Sequence, residues 1–428
     1  METKKHNRWL VAIMGTLLMI VLGTVYAWSF FQKPIVTTFG WSNTGVAWAF
    51  SVSIFTLGIA AAWGGINLPK YGPTKLAIIG AILYGIGFML GALALKIESL
   101  PLLIGGFGIV GGFGIGLGYV TPVVSASKWF PDKQGFVTGM VVMGFGLGAL
   151  IMSKVIAPAV MGMVDGNLVS TFFFIGIILL ILGCCAAIFI KQPPADYVPE
   201  GYTPKVTASA AAGKASVANI TAKQAIMTTK FLFMWLILII NVTAGIMFIS
   251  FQSPLMQDLW IKFKPGTDAL ALASIGGTLI AISSLFNGIG RFFWGGLSDK
   301  IGRIQAFRLI LGSQIIVFII LLFVQNPYIF AVLVCYVLLC YGGGFGTMPS
   351  FVKDVFTAKL MPVVYGVILT AWSLGGVIGP QIVAYMKDRF KENPTDAGFY
   401  SFIAGIILLS LGFLIAMFLN NKPITESK

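Results

Sequence analysis

The chain has 428 residues, of which 57% are hydrophobic and only 10% charged, with 52 glycines and 35 phenylalanines, and its mean hydropathy is +0.93. No soluble domain keeps that much unbroken apolar sequence out of water, so the composition excludes the soluble classes and leaves a polytopic membrane protein. The formal net charge of +14 would suggest nucleic acid in a soluble chain, but its distribution gives it another meaning here.

The N-terminal METKKHNR, followed by an apolar run over 9–31, has the outline of a secretory signal. The run is too long for a signal core and lacks a small-x-small cleavage site, so it reads as the first span, and the mature chain is expected to start at or near Met1. Further apolar runs bounded by Pro, Gly or charge fall at 44–66, 75–95, 101–124, 135–160, 170–190, 231–255, 269–297, 305–325, 328–350, 363–386 and 398–419. At about 1.5 Å per residue each can cross a hydrocarbon layer of about 30 Å as a helix. The expectation is therefore an all-α membrane protein with twelve transmembrane helices.

Placing charged residues on alternate sides puts nineteen Lys/Arg on the side of the termini and eight on the other, with Arg291 set apart, while the acids divide seven and seven. That positive-inside bias places both termini in the cytoplasm of a cell (plasma or inner) membrane. The excess charge is thus a topology signal and argues for no nucleic-acid partner. The four cysteines, Cys184, Cys185, Cys335 and Cys340, sit in apolar runs without a CxxC or Cys/His spacing, and the one histidine, His6, is in the N-terminal tail. Disulfides, metals, cofactors and a histidine proton relay are not expected.

The longest connection, 191–230, is rich in Pro, Ala, Ser, Thr and Lys and reads as a flexible cytoplasmic linker ending in a short interfacial helix. It divides the chain into six-helix bundles at 1–190 and 231–428. Gly65, Lys70 and Gly72 repeat as Gly295, Lys300 and Gly302 at an offset of 230. Tyr119, Thr121 and Phe130 repeat as Phe345, Thr347 and Phe356 at 226, and Gly139, Leu147 and Gly148 as Gly366, Leu374 and Gly375 at 227. Three matches at nearly one offset argue for a duplicated six-helix unit and two pseudo-symmetric halves.

The eighth span carries one charge, Arg291. An arginine within a span costs about 2.5–3.5 kcal/mol on insertion scales, and it usually faces a polar cavity with a partner, so an anion site is the default reading. Arg291 also lies about six residues, roughly 9 Å, from the Leu297 end of the run. A guanidinium can snorkel that far, and this helix alone leaves both readings open.

GGLSDKIGR, Gly295 to Arg303, resembles the loop signature of the major facilitator superfamily; the first-half copy, GINLPKYGPTK, has Pro69 where the aspartate should be. KWFPDKQGFVTGMVVMGFGLG, Lys128 to Gly148, resembles the fifth-helix signature shared by the oxalate/formate antiporter family and the monocarboxylate transporters. SLFNGIGRFFWG resembles their eighth-helix segment, and YAW, Tyr26 to Trp28, is similar to their first-helix motif. The resemblance implies the major facilitator fold, alternating access, and an Arg291 that binds a substrate carboxylate. Three departures matter. Asn287 stands where many animal relatives have a proton-accepting aspartate, Gly23 stands where their first-helix motif has an acid, and Trp372 occupies the position of the second cation used for oxalate exchange. One cation matches one carboxylate.

In this reading Arg291 clamps a carboxylate with two parallel N–H donors, and Asn287, one turn away, donates to the substrate or steadies the guanidinium unless it makes a packing hydrogen bond. Tyr119 in the Gly-rich fourth span offers a hydroxyl. Tyr26, Trp28, Tyr341, Phe345 and Trp372 wall the cavity, with plain helix packing as the alternative for each. Lys33 and Lys154 form a basic outer vestibule or a solvated rim, and Asp354 is the acid nearest the inner mouth. Asp299, Lys300 and Arg303 form a gating charge network at the helix ends. The function expected is secondary transport of a small monocarboxylate of the lactate, pyruvate or formate class by a monomer, proton-coupled or by anion exchange. A dicarboxylate antiporter, a drug efflux pump and a non-transporting carboxylate sensor are the alternatives. No nucleophile, base and orienting group occur at a recognisable spacing, so an enzyme is not expected.

Overall fold

A computed structural model describes residues 7–132, 134–194, 197, 199 and 220–422, and among these the regular elements are helices. Twelve are long and apolar enough to cross a membrane: α1 Arg8–Phe39, α2 Asn43–Tyr71, α3 Pro73–Lys96, α4 Leu100–Trp129, α5 Val137–Met163, α6 Leu168–Ala187, α7 Thr229–Phe263, α8 Ala269–Ile301, α9 Arg303–Leu321, α10 Pro327–Phe356, α11 Val363–Arg389 and α12 Asp396–Met417. His6, Lys4, Lys5, Lys133, Lys428 and most of the 191–230 connection, including Lys205 and Lys214, lie outside the described residues. Within that connection a short helix, Ala222–Ile226, is closed by reciprocal hydrogen bonds between Thr221 and Gln224.

Each helix overlaps the span expected for it, but α1 and α7 run on, α1 to Phe39 instead of 31 and α7 to Phe263 instead of 255. The polar residues that end the apolar runs are held inside these helices by partners. Gln32 accepts the Trp28 indole N–H at 2.7 Å, and Asp258 pairs with Lys387. What stops α1 is Gly40, in the left-handed region at φ 65°, after which the Ser42 hydroxyl caps α2 by accepting from the Gly45 N–H.

The helices approach closely wherever a glycine faces a neighbouring backbone. A Cβ on Gly290 of α8 would lie 2.1 Å from the Leu339 carbonyl oxygen of α10, and one on Gly346 of α10 would lie 2.3 Å from the Arg291 carbonyl oxygen. This contact seats the Asn287–Arg291 turn of α8 hard against α10. On the other side, α5 packs on both α1 and α8, and α2 packs on α11, so these two seams join the first six helices to the last six.

The crossings bring both described chain ends to one end of the bundle, the terminal end. At the opposite, far end the polar contacts cross between the first six and last six helices. Asp258 of α7 takes Lys33 of α1 across the two sets at 3.8 Å, and Lys387 of α11 pairs with the same carboxylate from within the last six. The Asp388 carboxylate accepts from the backbone N–H groups of Asn43 and Thr44 at 2.9 and 2.7 Å, where the first turn of α2 offers free donors. Lys154 of α5 donates to the Thr278 hydroxyl of α8 at 2.6 Å. At the terminal end the contacts run within one set of six: Arg8 with Asp132, and Arg303 with Asp299 and Asp354.

Candidate functional site

Side chains on a helix lean toward its N-terminus, so Arg291 reaches back along α8 toward the far end and the middle of the bundle. It is 5% exposed, which places its head inside the protein and away from a lipid surface. Its guanidinium carbon lies 5.4 Å from the centre of the Phe345 ring, and the phenols of Tyr119, Tyr26 and Tyr341 stand around it. None of its three nitrogens meets an acceptor at hydrogen-bond geometry among the described residues, although the Tyr119 hydroxyl stands beside it. Asn287, one turn earlier, is also buried, and its Oδ1 likewise has no partner among the described residues.

The aromatic residues form a continuous wall around this charge. Tyr26 lies where α1 tightens over Thr24–Ala27 into a 3-10 turn, and its hydroxyl meets that of Tyr341 from α10 at 2.5 Å. Trp372 of α11 touches Tyr26, Tyr119 and Phe345 edge to face, with centroids 6.4, 5.4 and 4.9 Å apart. Phe145 of α5 fills the remaining side against Tyr26, Tyr119 and Trp372. Helices α1, α4, α5, α8, α10 and α11 thus all contribute to one centre.

The structure brings together Arg291, Asn287, Tyr119, Tyr26, Tyr341, Phe345 and Trp372. Trp28 is placed elsewhere, packed against Phe50 and Phe107 with its N–H held by Gln32. The charge network at the terminal end contains Arg303, Asp299 and Asp354, joined by Ser298, which accepts from Arg303 at 2.6 Å; Lys300 is exposed and outside it. Lys33 and Lys154 both sit in far-end contacts. Sequence reasoning did not single out three further neighbours: Tyr365 of α11, which lies near Arg291 and Tyr119, and Gln252 and Ser283, hydrogen-bonded to each other at 2.7 Å beyond Asn287.

Twelve apolar helices around a buried cation, with polar contacts joining the two sets of helices at one end, define a multi-pass membrane protein. The chain belongs to the Major Facilitator Superfamily, whose family model matches residues 9–380. It is 24% identical over 415 residues to the oxalate:formate antiporter of Oxalobacter formigenes, covering 96% of this chain and 91% of that one. It is 25% identical over 482 aligned positions to apicoplast pyruvate carrier 1 of Toxoplasma gondii, covering 91% and 85%. Among solved structures, an inward-facing, unoccupied bacterial homologue of the human lysosomal transporter Spinster shares the fold with a TM-score of 0.68 at 17% identity, over 97% of this chain and 98% of that one. A point mutant of the nucleoside transporter NupG does so with a TM-score of 0.68 at 12% identity, over 95% and 99%. The protein is therefore a transporter of this superfamily, with no strand in the described residues, and the curated proteins it resembles include, besides the antiporter and the pyruvate carrier, monocarboxylate transporter 14 of Mus musculus, 26% identical over 31% of this chain and 26% of that one.

Proposed function

We propose that the protein is a secondary active transporter that carries a small monocarboxylate, of the lactate, pyruvate or formate class, across a cell membrane by alternating access. The observation that carries this reading is the Arg291 guanidinium, buried and without a hydrogen-bonded acceptor among the described residues. An unpaired buried cation costs several kcal/mol, and a carboxylate that takes two of its N–H groups removes most of that cost. The bound anion therefore eases the rocking of the two six-helix halves, 1–190 and 231–428, around the centre. With the termini in the cytoplasm, as the basic bias of their side supports, the far end faces outward and its polar contacts close the outer path. Tyr119, Tyr26, Tyr341 and Asn287 line the substrate, and Phe345 and Trp372 shut out water. Arg303, Asp299 and Asp354 act at the inner gate, with Lys300 exposed beside them.

Exchange of one anion for another needs no protonatable side chain, and the sequence puts no acid in the middle of a span, which favours exchange; proton-linked transport would carry the proton on the substrate. The name of the O. formigenes relative favours a second reading, a dicarboxylate antiporter. Against it, Trp372, fully buried in the aromatic wall, fills the place of a second cation. The test is uptake of labelled lactate, pyruvate, formate and oxalate into proteoliposomes, with and without a proton gradient and with and without internal anion. Monocarboxylate flux is expected to fall at least about a hundredfold in Arg291→Ala, from loss of a charge-assisted pair, and to recover in part in Arg291→Lys. Normal flux in Arg291→Ala sinks the proposal; binding with no flux would make the protein a carboxylate sensor.

A further inference from the structure

At the far end of the last six helices, α7, α9, α10 and α12 part around a cavity of about 170 Å³. Phe330 of α10 and Phe402 of α12 line its floor, with Leu255 of α7 and Leu321 of α9 beside them. Phe248 of α7 and Phe318 of α9 pack on these rings, Phe248 stacking on Phe402 with centroids 5.9 Å apart, so each of the four helices gives one ring to the layer. An apolar cavity of about 150 Å³ is enough to hold a benzene ring, so this one takes a ring-sized group. Gly398 of α12 leaves the space open. A Cβ there would lie 3.7 Å from the Phe402 ring and 4.0 Å from Leu255, ordinary contact distances, so no close approach of helices requires glycine at this position, unlike Gly290.

The rim is charged. Asp258 and Lys262 stand one turn apart on α7, and Asp396 begins α12 on the other side, accepting from the Asn393 side-chain N–H at 2.9 Å. Two carboxylates against one ammonium suit a cation at this mouth, whereas an anion would have to pass between the carboxylates. Asp258 is also the carboxylate that joins the two sets of helices: Oδ1 meets Lys33 of α1 at 3.8 Å, and Oδ2 meets Lys387 of α11. Lys33 is the more distant partner and the more exposed, 32% against 12%. A further cation near Asp258 therefore releases Lys33 to solvent before Lys387.

We propose that this cavity is a second binding site, separate from the centre around Arg291, for a small organic monocation with a ring-sized apolar body. The ammonium sits at the rim, anchored by Asp396, and the apolar body rests on Phe330 and Phe402. Bound there, the cation competes with Lys33 for Asp258 and weakens the ion pair that ties α7 to α1. It is thus a far-side effector that favours opening of that end. The site is independent of which anion Arg291 carries.

The test uses 2-phenylethylammonium as the probe and 2-phenylethanol as its neutral counterpart. The amine is expected to raise the unfolding temperature of the purified protein saturably, and the alcohol to need at least about tenfold more for the same shift, for want of a charge-assisted hydrogen bond. Gly398→Leu fills the cavity and abolishes the shift; Asp396→Asn, which leaves the cavity as it is, weakens it about tenfold. For the coupling, the four cysteines are replaced and Ile280→Cys, buried beside a small central gap that Tyr26 and Asn287 also line, is labelled from the far side by a membrane-impermeant maleimide. Saturating amine is expected to speed the labelling about two- to threefold, part of the worth of an exposed ion pair. It should have no such effect in Gly398→Leu, or in Lys33→Gln, where the contact is already gone. Absence of a shift, equal action of the alcohol, or a shift undiminished in Asp396→Asn overturns the site and makes the cavity a slot for any apolar tail, a lipid chain included. A shift with unchanged or slower labelling overturns the effector role.

Discussion

At the scale of single residues, the centre is a cation surrounded by phenols and rings with no hydrogen-bonded acceptor of its own among the described residues. Tyr119 is the hydroxyl that stands beside it, and its ring is held between Phe145 and Trp372. Tyr119→Phe keeps that packing and removes only the hydroxyl. The KM for a carboxylate substrate is expected to rise about fivefold, roughly 1 kcal/mol, with the thermal unfolding temperature unchanged; an unchanged KM would reduce Tyr119 to a packing residue. Most of this centre is legible in the chain, because an arginine or a mid-span tyrosine interrupts an apolar run and the surrounding motifs have a known resemblance. Trp28 was misleading for a geometric reason. It follows Tyr26 by two residues, about 200° around a helix, so it faces Phe50 and Phe107 of the neighbouring helices. Gln252 and Ser283 gave no signal because lone polar residues in apolar runs commonly serve as ordinary interhelical hydrogen bonds.

At the scale of elements, the count of twelve follows from hydropathy alone, since each run must satisfy its backbone internally as a helix. The helix ends do not, because Gln32 and Asp258 look like chain leaving the membrane until their partners are known. Which glycines matter is equally hidden among 52; only the contact with a neighbouring backbone separates them. Gly290 faces the Leu339 carbonyl, with 2.1 Å left for a Cβ, whereas Gly296, on the same helix, has nothing within 4 Å. Gly290→Val is expected to force α8 from α10, lowering stability by about 1–3 kcal/mol and displacing Arg291, so that both the unfolding temperature in detergent and transport fall. Gly296→Ala should change neither. Equal behaviour of the two variants would show that α8 is not held by this contact.

At the scale of the whole molecule, the two ends are tied differently. Polar contacts at the far end bridge the first six and last six helices, through Asp258 with Lys33, Asp388 with the start of α2, and Lys154 with Thr278, while Lys387 holds Asp258 from within its own set. The pairs at the terminal end, Arg8 with Asp132 and Arg303 with Asp299 and Asp354, stay within one set and can move as rigid parts. A carrier in this arrangement is locked at the far end, and Asp258 is the carboxylate on which two lysines from different helices converge. Asp258→Asn leaves Lys33 and Lys387 facing each other without a counter-charge. Both are partly exposed, so solvent screens the pair and the loss is about 1 kcal/mol, which shifts a two-state equilibrium about fivefold. In a background with the four cysteines replaced, Ile280→Cys, buried beside the central gap, reports opening of the far end to a membrane-impermeant maleimide added on that side. Its labelling is expected to speed up about fivefold in Asp258→Asn and to stay unchanged in Asp299→Asn, whose partner lies within its own set of helices. Equal labelling in the two variants would mean that the far-end charges decorate a closed state held by apolar packing, and the preference for that state would then reside in the α2–α11 and α5–α8 seams.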